Sequence, residues 1–125
     1  MLVDTDVLIW NLRGHERAAE LLDNAGGFLL SAVSYMELIQ GMRDKSELNV
    51  LRQSLQYWGA SVHPLDPQIS ARAMFLMETY ALGHGLQVAD ALIAATAISL
   101  GATLVTANAK HYRMIDGLET SIFRP

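Results

Sequence analysis

Cysteine is absent from this chain of 125 residues. A chain without cysteine forms no disulfide, offers no thiolate nucleophile and builds no zinc finger, and it suits a reducing cytoplasm. No basic stretch followed by an apolar run opens the sequence, so we expect no secretion signal and a cytoplasmic location. No linker or internal repeat interrupts it either, which predicts a single domain over residues 1–125.

A long uninterrupted apolar run is also missing. The most apolar window, residues 86–105, has the length of a membrane span but contains Gln87, Asp90, Ser99 and Gly101. A central charge and a glycine break indicate a buried helix followed by a strand, so we expect no membrane contact. The hydrophobic content of 51% excludes a disordered chain.

Short apolar runs alternate with segments of helical periodicity along the chain. We predict strands at residues 1–4, 28–30, 61–63, 102–105 and 121–123, and helices at residues 7–12, 15–24, 33–43, 46–58, from 67 to a turn at 83–85, at 88–100 and, briefly, at 108–113. This alternation is typical of an α/β fold, here an α/β/α sandwich with a mostly parallel central sheet of four to five strands. Ligands in such folds bind at the carboxyl ends of the strands.

Polar side chains stand where the predicted strands end. Asp4 ends the first strand, Glu37 lies early in the helix after the second strand, and Asp90 lies in the first turn of the helix at 88–100. Thr106 and Asn108 follow the fourth strand. Because that late helix runs back along the sheet before the fourth strand, we expect all five residues at one rim.

Each of these residues also has an ordinary local explanation. Asp4 and Asp6 could cap a helix and a turn, and Thr5 and Asp6 are both good N-caps for a short helix. Ser34 and Glu37 fit a capping box, and Asp90 suits the positive end of a helix dipole.

The combination favours a metal site. Three carboxylates about 5 Å apart repel one another by roughly 3 kcal/mol per pair at an effective dielectric of about 20. The total is comparable to the stability of a whole domain, so the group must take up protons or bind a cation. Because the available ligands are hard oxygens, we expect Mg²⁺, with Mn²⁺ as a substitute, rather than zinc. Such an ion suits phosphate substrates.

The net charge of −4 argues against a simple nucleic-acid binder, which is usually basic. Without the four suspected ligands Asp4, Asp6, Glu37 and Asp90, however, nine of the 13 acidic residues remain against nine Lys and Arg. The net charge is therefore weak evidence for or against nucleic-acid binding.

Four stretches in this order, LVDTDVLIW, SAVSYMELIQG, VADALIAATAISLGATLVTAN and AKHYRMI, resemble PIN-domain ribonucleases of the VapC toxin type over essentially the whole chain. The resemblance implies a Mg²⁺-dependent endoribonuclease that leaves a 5′-phosphate and a 3′-hydroxyl. It implies that Asp4, Glu37 and Asp90 bind the metal and that Asp6 contributes directly or through water. Thr106 and Asn108 would orient a ligand or a phosphate.

The resemblance also implies partners. A cognate antitoxin would fill a groove and block the site, and the chain would form a homodimer. The stretch 74–77 (MFLM) is a candidate contact surface, although core packing is its ordinary explanation. The family often has a fourth acid in the region where Asn108 and His111 stand here.

Two other functions fit part of the pattern. A haloacid-dehalogenase-like phosphatase would use Asp4 as nucleophile and Asp6 as acid and base, but it also needs a later phosphate-binding lysine, and the chain has only Lys45 and Lys110. A non-catalytic partner-binding domain of the same fold would need no tightly bound metal.

Overall fold

A five-stranded parallel sheet forms the centre of the computed structural model, which describes residues 1–125. The strand order is β3-β2-β1-β4-β5, and every neighbouring pair is parallel. The strands are β1 Leu2–Val3, β2 Leu29–Ser31, β3 Ser61–His63, β4 Leu104–Thr106 and β5 Thr120–Ile122. The predicted α/β class is confirmed, and the sheet is parallel throughout.

Six helices connect and cover these strands. They are α1 Thr5–Leu12, α2 Glu16–Asp23, α3 Ala32–Gln40, α4 Lys45–Trp58, α5 Pro67–His84 and α6 Val88–Leu100, and a single 3₁₀ turn follows at Ala109–His111. None of these helices combines the length and the apolar character that crossing a bilayer requires.

The three central strands, β2, β1 and β4, are largely buried, as expected for a parallel sheet with helices on either side, whereas the edge strands β3 and β5 are largely exposed. Leu2 and Leu104 point into one apolar cluster, which is built largely on α5 and α6. Val3 and Val105, one residue further along each strand, point into a second cluster with α1, α2 and α4. The two-residue period of the strands therefore divides the core into two halves.

The helices at the sheet rim begin directly after their strands, without an intervening loop. Asp4 is the N-cap of α1, and its Oδ1 accepts a hydrogen bond from the Thr5 N–H at 2.8 Å. Ser31 is the N-cap of α3 and accepts from the Val33 N–H at 3.1 Å. The cap predicted at Asp4 is therefore confirmed. The caps predicted at Thr5 or Asp6 and at Ser34 were wrong, because the last residue leaving each strand already has the extended conformation that a cap requires.

Helix α5 continues through the predicted turn at residues 83–85. Only Gly85 adopts the left-handed conformation, at φ +69°, and it ends the helix. One left-handed residue suffices to terminate a helix, so Gly83 and His84 remain helical.

Candidate active site

The carboxyl rim of the sheet collects most of the predicted site residues. Asp4 leaves the central strand β1, and Thr106 ends the neighbouring strand β4. Glu37 lies on α3, which follows β2, and Asp90 lies in the first turn of α6. Because α6 runs back along the sheet before β4 begins, its first turn lies at this rim.

Thr106 links the two aspartates of the first motif. Its Oγ1 is 2.8 Å from Asp4 Oδ2 and 3.3 Å from Asp6 Oδ2. A threonine hydroxyl has one proton to donate, so the closer Asp4 oxygen is the better acceptor. Asp6 Oδ2 also accepts from the Ala107 N–H at 3.0 Å, and the Asn108 N–H donates to Thr106 Oγ1 at 3.0 Å. The chain after β4 thus orients both carboxylates through hydrogen bonds.

Glu37 is attached to the same centre through Thr5. The Thr5 hydroxyl lies 2.8 Å from Glu37 Oε1 and 2.8 Å from the hydroxyl of Ser34, which is fully buried. Since Thr5 directly follows Asp4, this contact ties α3 to the end of β1.

Asp90 has contacts on both carboxylate oxygens. The Tyr112 hydroxyl lies 3.1 Å from Oδ1, and His111 Nδ1 lies 3.2 Å from Oδ2. The His111 side chain is 53% exposed, whereas Tyr112 is 1% exposed. The buried contact is therefore the one with Tyr112.

The charges of the two motif aspartates are poorly compensated. Burial first, and then the charge of Asp6, raises the pKa of Asp4 to about 7, although hydrogen bonds from Thr106, Tyr112 and the Thr5 N–H oppose the shift. Burial also raises the pKa of Asp6, whose Oδ1 is buried without a hydrogen-bond partner. No lysine or arginine forms an ion pair with either of them.

The carboxylates at the rim are candidate ligands for a divalent metal ion. No three His, Asp or Glu side chains close around a single point. The carboxylates are joined instead through the hydroxyls of Thr5, Thr106 and Tyr112. The orphaned oxygen of Asp6 and the raised pKa of Asp4 nevertheless describe buried oxygens that need a cation or a proton, and oxygen ligands fit Mg²⁺ or Mn²⁺.

The structure also shows residues that the sequence patterns missed. Thr5, Ser34 and Tyr112 contact the predicted ligands or their partners, but no sequence signal distinguishes a buried bridging hydroxyl from an ordinary core residue. Asn108 contributes its backbone N–H, while its side chain is exposed and makes no hydrogen bond.

Comparisons with known proteins agree with the fold described above. The family model described as PIN domain matches residues 1–116. The chain is similar to Ribonuclease VapC10 of Mycobacterium tuberculosis (strain ATCC 25618 / H37Rv), with 37% identity over 123 residues, which cover 95% of this chain and 90% of that protein. It is also similar to Ribonuclease VapC19 of the same strain, with 36% identity over 124 residues that cover 94% of this chain and 96% of that protein.

Solved structures share the fold along nearly the whole chain. A toxin-antitoxin complex from Klebsiella pneumoniae contains a chain that is 26% identical to this one and superposes with a TM-score of 0.75. The match covers 98% of both chains. The fold described above is therefore shared with a chain of that complex.

The raised pKa of Asp4 predicts an unusual pH dependence of the metal-free protein. Because the folded state binds this proton more tightly than the unfolded state, the contribution of Asp4 to stability falls as pH rises from about 4 to about 7. We expect Asp4→Asn, which keeps the cap, to be more stable than the natural protein above pH 7, by up to about 4 kcal/mol.

Thermal unfolding in EDTA between pH 4.5 and 8 measures this difference. The exposed Asp116→Asn serves as the control and should follow the natural protein at every pH. A difference between Asp4→Asn and the natural protein that does not grow with pH would contradict the assignment.

Proposed function

The chain belongs to the PIN-domain family, and on that basis we propose that it is the endoribonuclease toxin of a toxin–antitoxin pair. The observation that carries this proposal is the rim network, in which the buried Asp4 and the partly buried Asp6 lie beside Thr106 and neither forms an ion pair with a lysine or arginine. The similarity to two proteins named ribonucleases, over almost the full length of this chain, supplies the reaction class. The proposed action on RNA places the protein in the cytoplasm.

Under this proposal Asp4, Glu37 and Asp90 hold Mg²⁺, for which Mn²⁺ can substitute, and Asp6 contributes its unpartnered Oδ1. A bound ion lowers the pKa of an attacking water and neutralises charge on the phosphate oxygens. The known chemistry of the donors supports this choice, because all of them are carboxylate oxygens.

The remaining residues of the site orient these carboxylates. Thr106 fixes one oxygen of Asp4, and Thr5 fixes one oxygen of Glu37. The exposed Asn108 side chain is free to bind a phosphate of the RNA strand. One carboxylate of the group accepts the proton of the attacking water, and the products carry a 5′-phosphate and a 3′-hydroxyl.

A second candidate function is partner binding without catalysis. It is favoured by a specific observation, since no three acidic or histidine side chains are gathered around one point. The phosphatase alternative has no such support, because Lys45 and Lys110 are both exposed and neither contacts Asp4.

The antitoxin partner has a suitable groove beside Glu37. The groove has a volume of about 660 Å³ and lies between α1, α3 and α4. Charged residues line part of it, among them Glu37, Arg13 and Arg43. Apolar side chains line the rest, namely Ile9, Leu12, Leu38, Met42 and Val50. An amphipathic segment that buries its apolar face here would cover Glu37 and so block the site.

A homodimer has a second surface available. Met74 and Phe75 on α5 and Val88 on α6 are each more than half exposed. An apolar groove of about 470 Å³ runs between these two helices. Of the stretch 74–77, Leu76 is buried in the core, so the predicted contact surface is reduced to its neighbours. We propose that a second copy of the chain covers this surface.

Loss of one acidic residue should abolish cleavage without unfolding the protein. We expect Asp90→Asn and Glu37→Gln to lower Mg²⁺-dependent cleavage of a labelled RNA by at least about 100-fold, because each removes a proposed ligand. The exposed Asp116→Asn is the matched control and should cleave normally. Cleavage that persists in EDTA and in Asp90→Asn would contradict the proposal, and an absence of both metal binding and cleavage would favour partner binding.

A charge inside the groove should separate inhibition from catalysis. Val50 lines the groove from α4, so Val50→Lys should weaken inhibition by the cognate antitoxin about 10-fold or more while leaving RNA cleavage unchanged. Tyr57→Lys, on the exposed side of the same helix, is the control. Unchanged inhibition of Val50→Lys in a cleavage assay would place the antitoxin elsewhere.

Light scattering after size exclusion tests the homodimer. We expect a species of twice the 13.7 kDa chain mass, and Phe75→Glu should convert it to the 13.7 kDa species. Tyr57→Glu should leave the mass unchanged. A natural protein that elutes only at 13.7 kDa would exclude the dimer.

A further inference from the structure

Tyr112 connects the apolar core to the candidate site. It follows the 3₁₀ turn at Ala109–His111 and is 1% exposed. Its side chain belongs to the apolar cluster that contains Leu2 and Leu104 of the central strands. A buried tyrosine needs a partner for its hydroxyl, and this hydroxyl finds its partner at the sheet rim.

The hydroxyl of Tyr112 donates to an acidic residue of the rim. It lies 3.1 Å from Asp90 Oδ1. A phenol has a single proton to donate, and Asp90 is the carboxylate within hydrogen-bond distance. Asp4 lies near this contact, since the Tyr112 hydroxyl also lowers the pKa of Asp4.

The contact between Tyr112 and Asp90 is protected from solvent, because Tyr112 is 1% exposed. His111, the other partner of Asp90, is half exposed, and solvent weakens its contact. Tyr112 thus provides the buried restraint on Asp90.

We propose that Tyr112 is a positioning residue that holds the Asp90 carboxylate beside Asp4, so that the two can bind one divalent ion. This inference rests on the proposed metal-dependent function. It adds a residue that touches neither the ion nor the RNA and acts through the orientation of a ligand. Hydrogen bonds of this kind to metal ligands typically change metal affinity by about 10-fold to 100-fold.

Tyr112→Phe tests the proposal, because it removes the hydroxyl and keeps the buried ring. Tyr80→Phe is the matched control, since Tyr80 packs against the same apolar cluster and its hydroxyl accepts only a backbone hydrogen bond, from the Asp116 N–H at 3.2 Å. Both variants are made in the full chain. Mn²⁺ affinity is measured by calorimetry at pH 7.5, and cleavage of a labelled RNA is measured across Mn²⁺ concentrations.

We expect Tyr112→Phe to bind Mn²⁺ about 10-fold more weakly, and Tyr80→Phe to stay within about 2-fold of the natural protein. At saturating Mn²⁺, the cleavage rate of Tyr112→Phe should return to within about 3-fold of the natural rate, because the ligands themselves are intact. If Tyr112 contributed only to stability, its loss would not raise the Mn²⁺ concentration that cleavage requires while leaving the rate at saturating Mn²⁺ nearly unchanged.

The rise in Tm that Mn²⁺ causes, relative to the metal-free Tm of each variant, gives the same comparison even if Tyr112→Phe is destabilised. Equal Mn²⁺ affinity of Tyr112→Phe and the natural protein, or an equal loss in both variants, would overturn the role of Tyr112 alone. A natural protein that binds no Mn²⁺ would overturn the proposed metal site together with this inference.

Discussion

Two neighbouring carboxylates at the end of the central strand, one buried and one partly buried, are the constraint on which this rim depends. Asp4 is 5% exposed, and Asp6, two residues later, shares its hydroxyl partner Thr106. Burying like charges side by side is unfavourable without compensation, and this chain supplies only neutral donors there. The hydroxyl of Thr106 and the N–H groups of Thr5 and Ala107 are those donors. They reduce the cost of the two charges, but they leave one oxygen of Asp6 without a partner.

The topology of the sheet explains why such distant residues share this rim. Strand β1 lies between β2 and β4, so the segments that follow all three strands leave the sheet side by side. Asp4 ends β1, Thr106 ends β4, and the helix after β2 carries Glu37. In a parallel sheet these carboxyl ends point the same way, and the intervening helices return the chain to the opposite edge. Residues more than 100 positions apart thereby become neighbours.

Much of this arrangement could be predicted from the sequence. The strand at 61–63 and the helix at 88–100 were predicted with the observed bounds, because a turn glycine or a helix-ending glycine marks their limits. The N-cap at Asp4 was one of the predicted local roles, but the N-cap at Ser31 was not predicted, because a cap on the last residue of a strand looks like part of the strand. The hydrogen bond from Tyr112 to the rim was not predicted either, since a tyrosine packed in the core and a tyrosine that donates to a carboxylate have the same sequence pattern. Which hydroxyl meets which carboxylate depends on packing between distant elements, and local sequence does not encode it.

The hydroxyl groups that contact the carboxylates affect the stability of the protein as well as its chemistry. A metal-free protein with three acids already gathered around one point would bear the full repulsion of their charges. Here Thr5, Thr106 and Tyr112 stand between or beside the acids, so each carboxylate has a neutral donor in place of a cation. The chain can thus fold without metal, while the raised pKa of Asp4 indicates that the negative charges are only partly compensated. A cation bound in addition to those donors would relieve the remaining cost, so metal binding and folding would stabilise each other.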